Sequence, residues 1–135
     1  MNLDQALSQA VATVPECVAA GYVDAASGLL LAIKTVDSHP REVIDLLAAA
    51  TSELFNGQNV TMIEKLFRRS RGVPDDGRRY FQEIIVNSDN LIHVFCRGKK
   101  RPDYISTFVT RKSASIGMVL TKAHLMVPVL EAAVG

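Results

Sequence analysis

Apolar residues recur along the chain at two different spacings, and the change of spacing predicts the order of helices and strands. Residues 3–14 carry apolar side chains every three or four positions, which is the period of one helix face, and Asn2 with Gln5 forms the expected cap. Two short, continuously apolar runs follow at residues 17–23 and 29–33. The turn-forming composition of the residues between them predicts a β-hairpin.

The middle of the chain predicts a long second helix. It begins at Pro40, because the residue before a proline avoids helical angles. The apolar positions that follow share one side if this helix runs through Gly57, at a cost of about 1 kcal/mol for the glycine. Alternatively, the helix ends at this glycine, and Thr61 with Glu64 caps a second piece from Met62 to Arg68.

Residues 68–80 are polar and rich in arginine, glycine and proline, which predicts a mobile basic loop. The spacing then changes to that of strands. Residues 81–86 and 91–96 are apolar and β-branched on either side of a polar turn, and therefore predict a second hairpin. A third strand is expected over residues 104–110.

A last helix is expected over residues 116–133, with one apolar stripe directed at the sheet. Met118, Leu125 and Val129 fall on the opposite side of this helix. Such a second apolar face indicates a partner chain, or it consists of the scattered surface hydrophobic residues found on most proteins. Both interpretations stay open at the level of sequence.

Composition places the chain among ordinary globular proteins. With 135 residues, 48% hydrophobic and 21% charged, it has the size and balance of one α/β domain over residues 1–135. The uninterrupted apolar stretches are far shorter than the ~20 residues that cross a bilayer, so no membrane span is expected. The first residues lack the pattern of a signal peptide, which predicts a cytoplasmic protein.

No sequence motif indicates catalysis. The segment Gly98-Lys99-Lys100 lacks the upstream glycine and the hydroxyl of a phosphate-binding loop, and the common hydrolase motifs are missing. Cys17 and Cys96 lie in apolar strands, where reduced thiols behave as small hydrophobic groups. The histidines show no ligand spacing with them, so neither a metal nor a cofactor is expected.

Basic residues outnumber acidic ones between residues 68 and 101, while the rest of the chain is net negative. This window is a solvated surface, a site for an acidic protein or a nucleotide phosphate, or a footprint for nucleic acid. Nucleic acid is the weakest of the three, because few aromatic residues are available to stack on bases. The residues predicted to form a partner surface are Arg68, Arg69, Arg71, Arg78, Arg79, Met118, Leu125 and Val129.

Two segments carry a family resemblance. Residues 21–32 read GYVDAASGLLLA and residues 109–120 read VTRKSASIGMVL. They resemble the first hairpin and the final strand-to-helix junction of the Roadblock family, which contains dynein light chains, Ragulator subunits and MglB-like bacterial proteins. In this resemblance Gly28 lies in the hairpin turn, and Gly117 lets the last helix begin close to the sheet.

The resemblance covers nearly the whole chain and implies an α/β (α+β) fold, with a five-stranded antiparallel-type sheet and helices on both faces. It also implies a homodimer in which the second helices pack antiparallel and the third strands pair. An open edge strand rich in isoleucine and valine agrees with this, because such an edge promotes aggregation unless it is paired. One departure is the segment 60–80, which is longer than the family usually has. The implied interface residues are Leu46, Ala49, Ala50, Glu53, Ile84 and Val86.

The resemblance therefore implies a non-catalytic, homodimeric regulatory protein that binds a small Ras-like GTPase or a comparable signalling partner. A second hypothesis is a small-molecule sensor of GAF-like or profilin-like shape, with a pocket between sheet and helix. A third is nucleic-acid binding through residues 68–101.

Overall fold

The computed structural model describes residues 1–36, 41–74, 79 and 81–134, with the side chains of residues 41–46 excepted. Helices and strands follow one another in the predicted order. Their bounds are α1 (Leu3–Thr13), β1 (Cys17–Asp24), β2 (Leu29–Thr35), α2 (Arg41–Asn56), α3 (Gln58–Ser70), β3 (Glu83–Asn87), β4 (Leu91–Arg97), β5 (Tyr104–Arg111) and α4 (Ile116–Val134).

The five strands form one antiparallel sheet in the order β2-β1-β5-β4-β3. Strand β5 lies at the centre of the sheet and joins the two hairpins, because it pairs with β1 on one side and with β4 on the other. Strands β2 and β3 are therefore the edge strands. The expected α/β fold with a five-stranded antiparallel sheet is confirmed.

Helices cover both faces of the sheet, as expected. On one face α1 and α4 enclose the larger core, in which Leu7, Tyr22, Phe108 and Leu130 are fully buried. On the other face α2 encloses a smaller core around Phe55. The cap predicted for α1 is present, since the Asn2 side chain accepts from the backbone N–H of Gln5 and the Gln5 side chain accepts from that of Asn2.

The first hairpin turns at Gly28, as the sequence predicted. Gly28 has a φ of +75°, a left-handed conformation that costs little without a Cβ. The Asp24 side chain supports the turn by accepting from the Ala26 N–H at 3.0 Å and from the Ser27 hydroxyl at 3.0 Å. The expectation for Gly117 was wrong. It lies in the first turn of α4, and a Cβ added there would meet no atom within 4 Å.

The second helix is broken at Gly57, which decides between the two interpretations of its sequence. The Gly57 N–H donates to the Glu53 carbonyl at 3.0 Å and closes α2, while the Gly57 carbonyl accepts from Thr61 N–H and opens α3. A Cβ on Gly57 would lie 2.5 Å from the Glu53 oxygen, so only glycine fits this junction. The new helix begins at Gln58, four residues earlier than the second interpretation placed it.

The loop predicted over residues 68–80 begins later than expected. Helix α3 continues to Ser70, so Arg68 and Arg69 are helical, and a turn at Gly72 with a φ of +66° follows. Residues 75–78 and 80 lie outside the described part of the chain, and the mobility of the loop stays a prediction.

Helix α4 is long and apolar enough to pass for a membrane-spanning helix by length and composition, and one third of its most apolar stretch is buried inside the structure. The sequence prediction counted only uninterrupted apolar runs and did not identify it. Its inward residues Val119, Ala123 and Leu130 are buried in the larger core against the sheet. Core packing therefore accounts for much of its apolar character.

Candidate protein interaction site

Apolar side chains are exposed along one side of α2. Leu47, Ala50 and Leu54 occur three and four residues apart, so they form a single stripe on the helix. Leu47 is 55% exposed and Leu54 is 40% exposed, although both also border the sheet-facing side of the helix. The stripe lies beside the sheet face that α2 leaves partly uncovered.

Helix α3 has the reverse of the usual amphipathic arrangement. Its buried residues are the charged Glu64 and Arg68, which are one helical turn apart and only 1% and 6% exposed. Its exposed side is apolar. The exposed large hydrophobic residues of this helix are Met62, Ile63, Leu66 and Phe67. A helix with this pattern gains stability when another apolar surface covers it.

Charged contacts hold α3 to the rest of the domain. The Arg79 guanidinium donates to the Glu64 carboxylate at 3.0 Å, and this ion pair is nearly inaccessible on the Glu64 side. Arg97 at the end of β4 lies close enough for the Glu64 charge to affect its pKa, which burial nevertheless lowers. The polar interior of α3 is therefore compensated by charged partners of the chain, whereas its exposed side is apolar.

Arg97 is 4% exposed and ties several segments together. Its Nε donates to the Phe81 carbonyl at 2.7 Å, and its Nη1 donates to the Pro102 carbonyl at 2.8 Å. Its Nη2 donates to the Phe55 carbonyl at 3.2 Å, and the guanidinium lies 5.0 Å from the centre of the Phe55 ring. The end of α2 is thereby fixed to the edge half of the sheet.

An apolar cavity of about 240 Å³ lies between α2 and the sheet. Leu47, Ala50 and Leu54 line it from the helix, and Phe95 and Val109 line it from the central strands. Residues of β1 and β2, such as Val18 and Ile33, line it as well, so the gap between the helix and the sheet extends over β2, β1, β5 and β4.

His93 on β4 also borders the cavity, and burial lowers its pKa below the ordinary value. Its Nε2 lies 3.4 Å from the Ser88 hydroxyl, and its ring is nearly parallel to that of Phe95. The neutral imidazole therefore belongs to the apolar surface that lines the cavity.

Strand β3 is an open edge of the sheet, since it pairs only with β4 among the described residues. Ile84 packs against the smaller core on the α2 side. Val86 lies on the same side, because strand residues two apart share a face, and it is 39% exposed. An unpaired apolar edge and the exposed stripe of α2 thus lie on one side of the sheet.

The predicted dimer residues fall on these two elements. Ala49, Ala50 and Glu53 are exposed on α2, and Ile84 and Val86 lie on β3. The Leu46 side chain lies outside the described residues. No second chain is present, so their role in a dimer stays a prediction.

The predicted partner surface is only partly brought together. Arg69, Arg71, Met118 and Leu125 are exposed. Arg68 is buried, and Val129 packs against the larger core, so including these two in an exposed surface was wrong.

The part of the basic window that the structure describes does not form one continuous basic surface. Arg79 is partly buried in its ion pair with Glu64, and both Arg68 and Arg97 are buried. Arg78 lies outside the described residues. This division weakens the hypothesis of nucleic-acid binding, which needs a contiguous basic surface.

Sequence reasoning missed a polar row that crosses the other face of the sheet, beneath α4. The strand register places Glu83 opposite Cys96, Cys96 opposite Ser106, and Ser106 opposite Tyr22. The Cys96 thiol donates to the Glu83 carboxylate at 3.5 Å, and burial, together with the Glu83 charge, raises the pKa of Cys96 to about 12. Glu83 also pairs with His124 of α4. Only the register of three strands reveals this grouping.

No protein-family model matches the chain, and no curated protein is significantly similar to it. Solved structures are similar in fold. An MglB with a tetrameric arrangement matches with a TM-score of 0.71 at 18% identity, over 97% of this chain and 86% of that chain. The gliding protein MglB from Thermus thermophilus matches with a TM-score of 0.69 at 17% identity, over 97% and 87%.

A Roadblock/LC7 domain from Streptomyces avermitilis matches with a TM-score of 0.68 at 17% identity, over 99% of this chain and 98% of that chain. The likeness therefore extends over the full length of a single Roadblock/LC7 domain. With its order of elements and its sheet topology, this chain has the Roadblock/LC7 fold.

Proposed function

We propose that this chain is a member of the Roadblock family that acts in the cytoplasm as a non-catalytic, homodimeric regulatory protein and binds a small Ras-like GTPase or a comparable signalling partner. The observation that supports it best is the open β3 edge on the same side of the sheet as the exposed stripe Leu47, Ala50 and Leu54. One surface thus offers unpaired backbone groups and uncovered apolar side chains together.

A second copy of the chain satisfies both features at once. Antiparallel pairing of β3 with its symmetry mate supplies hydrogen bonds to the edge, and a twofold axis brings the same surface of each copy together. The small side chains Ala49 and Ala50 allow the two α2 helices to approach closely. The MglB solved with a tetrameric arrangement is a protein of this fold that assembles from several chains.

The dimer is tested by placing a charge on the β3 edge. In Val86→Glu, two carboxylates approach each other across the proposed strand pair, so analytical ultracentrifugation should show a monomer where the wild-type chain is a dimer. The matched control is Leu31→Glu on the opposite edge strand β2, because Leu31 is 40% exposed and Val86 is 39% exposed. A wild-type monomer at micromolar concentration, or equal dissociation by both variants, contradicts the dimer.

The GTPase partner is supported by the resemblance and by the surfaces that a dimer leaves open. Exposed Arg69 and Arg71 follow the apolar side of α3, and Met118 and Leu125 are exposed on α4. Regulation requires differential affinity, because a binding protein shifts a partner's conformation only by binding one state more tightly.

The partner is tested by measuring binding of Ras-like GTPases from the same cell, loaded with GDP or with a non-hydrolysable GTP analogue. The expected result is tighter binding of one nucleotide state, weakened by Arg69→Glu and Arg71→Glu and unchanged by Lys34→Glu on the far edge strand. Equal affinity for both states contradicts a regulatory role, and no binding of any such GTPase contradicts the choice of partner.

A second candidate function is a small-molecule sensor, which the apolar cavity of about 240 Å³ favours. A thermal-shift screen of apolar compounds tests it, because a ligand at 100 times its Kd stabilises the folded state by about 2.7 kcal/mol. A ligand that is displaced by the larger side chain of Ala50→Phe would support the sensor. No stabilising compound, with a stable dimer, favours the regulatory protein instead.

A further inference from the structure

Three side chains of the types that bind transition metals meet where β3, β4 and α4 come together. Glu83 begins β3, Cys96 is the penultimate residue of β4, and His124 lies in the middle of α4. Their ligand atoms lie within 4.8 Å of one another. We propose that Glu83, Cys96 and His124 bind a zinc ion, which joins the edge of the sheet to α4.

The chemistry of the three groups suits zinc. A thiolate, an imidazole and a carboxylate are the ligand types that zinc takes in proteins, whereas magnesium and calcium take oxygen ligands alone. Bond lengths of about 2.0–2.3 Å in a tetrahedron place ligand atoms roughly 3.3–3.6 Å apart. Cys96 Sγ and Glu83 Oε1 are already 3.5 Å apart.

The other distances between ligand atoms must change when the ion binds, and the side chains of Glu83 and His124 are the ones that can move. The side chains of His124 and Glu83 are 57% and 30% exposed, so they can rotate without disturbing the core. Cys96 is 4% exposed and anchors the site from below. Three protein ligands leave one tetrahedral position for water.

Ser106 supplies an independent indication of a ligand at this site. It faces Cys96 across the strand pair on the same side of the sheet, is fully buried, and its hydroxyl has no hydrogen-bond partner among the described residues. Directly opposite residues have Cβ atoms about 4.5–5.5 Å apart, so this hydroxyl can reach a thiolate at Cys96. A hydrogen bond from a neighbouring donor to a metal ligand is the usual support of a zinc site.

Zinc binding replaces the hydrogen-bonded pairs with metal bonds. The Cys96 thiol loses its proton to solvent, and His124 Nε2 gives up the proton that it shares with Glu83, so that the neutral imidazole carries its proton on Nδ1. The thiolate sulfur and the electron pair of His124 Nε2 then bind the ion beside the Glu83 carboxylate. The ion then links three elements that the apo chain joins through side-chain hydrogen bonds. The proposal does not depend on the dimer or on a GTPase, because the site lies on the face opposite to the α2 stripe.

The test uses the full chain, treated with a chelator and then titrated with Zn²⁺ in a calorimeter and with Co²⁺ in a spectrophotometer. We expect one ion per chain, a rise in melting temperature with Zn²⁺, and a thiolate-to-cobalt charge-transfer band. Cys96→Ser should abolish the band, and Cys17→Ser should keep it, because Cys17 is also a buried strand cysteine but lies outside the cluster.

His124→Gln keeps the proposal testable if Cys96→Ser does not fold, since this side chain is largely exposed. It should weaken Zn²⁺ binding by at least about 10–100-fold, and Ser106→Ala should weaken it by about 10-fold while keeping the band. Failure of the wild-type chain to bind either ion overturns the site. A band that survives Cys96→Ser, or unchanged affinity in His124→Gln, overturns the assignment of the ligands.

Discussion

Arg97 shows how much one buried side chain contributes to the position of α2. Its guanidinium donates to the carbonyls of Phe55, Phe81 and Pro102, which belong to three separate segments. Removing it leaves the buried Phe55 carbonyl without this donor, at about 1–3 kcal/mol, and breaks two partly buried hydrogen bonds worth about 0.5–1.5 kcal/mol each. We expect Arg97→Met to lower the free energy of unfolding by at least about 2 kcal/mol in urea denaturation.

The control for Arg97 is Arg69→Met, which removes the same charge from an exposed position on α3. Its effect should stay within about 0.5 kcal/mol. Similar losses in both variants would mean that charge, and not the three carbonyl contacts, is responsible.

Because of His93, the free energy of unfolding should fall in mild acid. Burial lowers its pKa in the folded chain below the unfolded value of about 6.5, so the unfolded state takes up the proton more readily. Its contribution is constant above pH 6.5 and is lost as the pH falls from 6.5 towards the folded pKa. Urea midpoints between pH 7.5 and 5 should fall in the wild-type chain and fall less in His93→Gln. An identical decline in both would assign the effect to other groups.

At the residue scale, sequence reasoning succeeded where the cause is local. Gly28 was predicted from its turn composition, and Asn2 with Gln5 from a spacing that needs only one helical turn. It failed for Arg68, which is buried, and for Arg97, whose burial depends on partners as far along the chain as Phe55. The sequence does not show such distant partners, and without them a charged side chain is expected at the surface.

Gly57 determines whether α2 and α3 are one helix or two. A Cβ at this position would lie 2.5 Å from the Glu53 carbonyl oxygen, which is too close without a backbone shift. We therefore expect Gly57→Ala to destabilise the chain by about 1–3 kcal/mol, the range for overpacked sites. Thermal and urea unfolding measure it.

Gly117→Ala is the matched control for Gly57→Ala. Gly117 is helical and has open space around its Cα, so alanine should be neutral or stabilise by up to about 1 kcal/mol. If Gly57→Ala were stabilising too, the two helices would join readily and the break would not be a fixed feature.

At the element scale, the period of apolar residues predicted each helix and strand but not which way α3 faces. Its apolar residues were predicted only to share one side of the helix, and in the structure Glu64 and Arg68 are buried while Leu66 is exposed. The period reports that one side of a helix is apolar and says nothing about what covers that side. The cluster of Glu83, Cys96 and His124 was missed for a related reason, since its members are distant in sequence and meet through strand register.

At the scale of the whole molecule, thermal stability should depend on protein concentration. If two copies bury the stripe of α2 and pair their β3 edges, dissociation accompanies unfolding, and the melting temperature rises with protein concentration. Calorimetry over a hundredfold range of concentration should show this rise in the wild-type chain and not in Val86→Glu. A melting temperature independent of concentration in both chains would indicate that the monomer is the stable unit.

The two edge strands of the sheet differ, and the difference limits how many further chains can be added. Strand β2 carries a register shift opposite Tyr22 and Val23, with Leu31 as the extra residue, and Lys34 stands near its end. Bulges and lysines discourage further strands from adding to a border, whereas β3 has a regular register with β4. When two copies pair through β3, each copy loses the one edge strand that has a regular register. If two copies join in this way, as we propose, the protein should form closed dimers and should not extend into filaments.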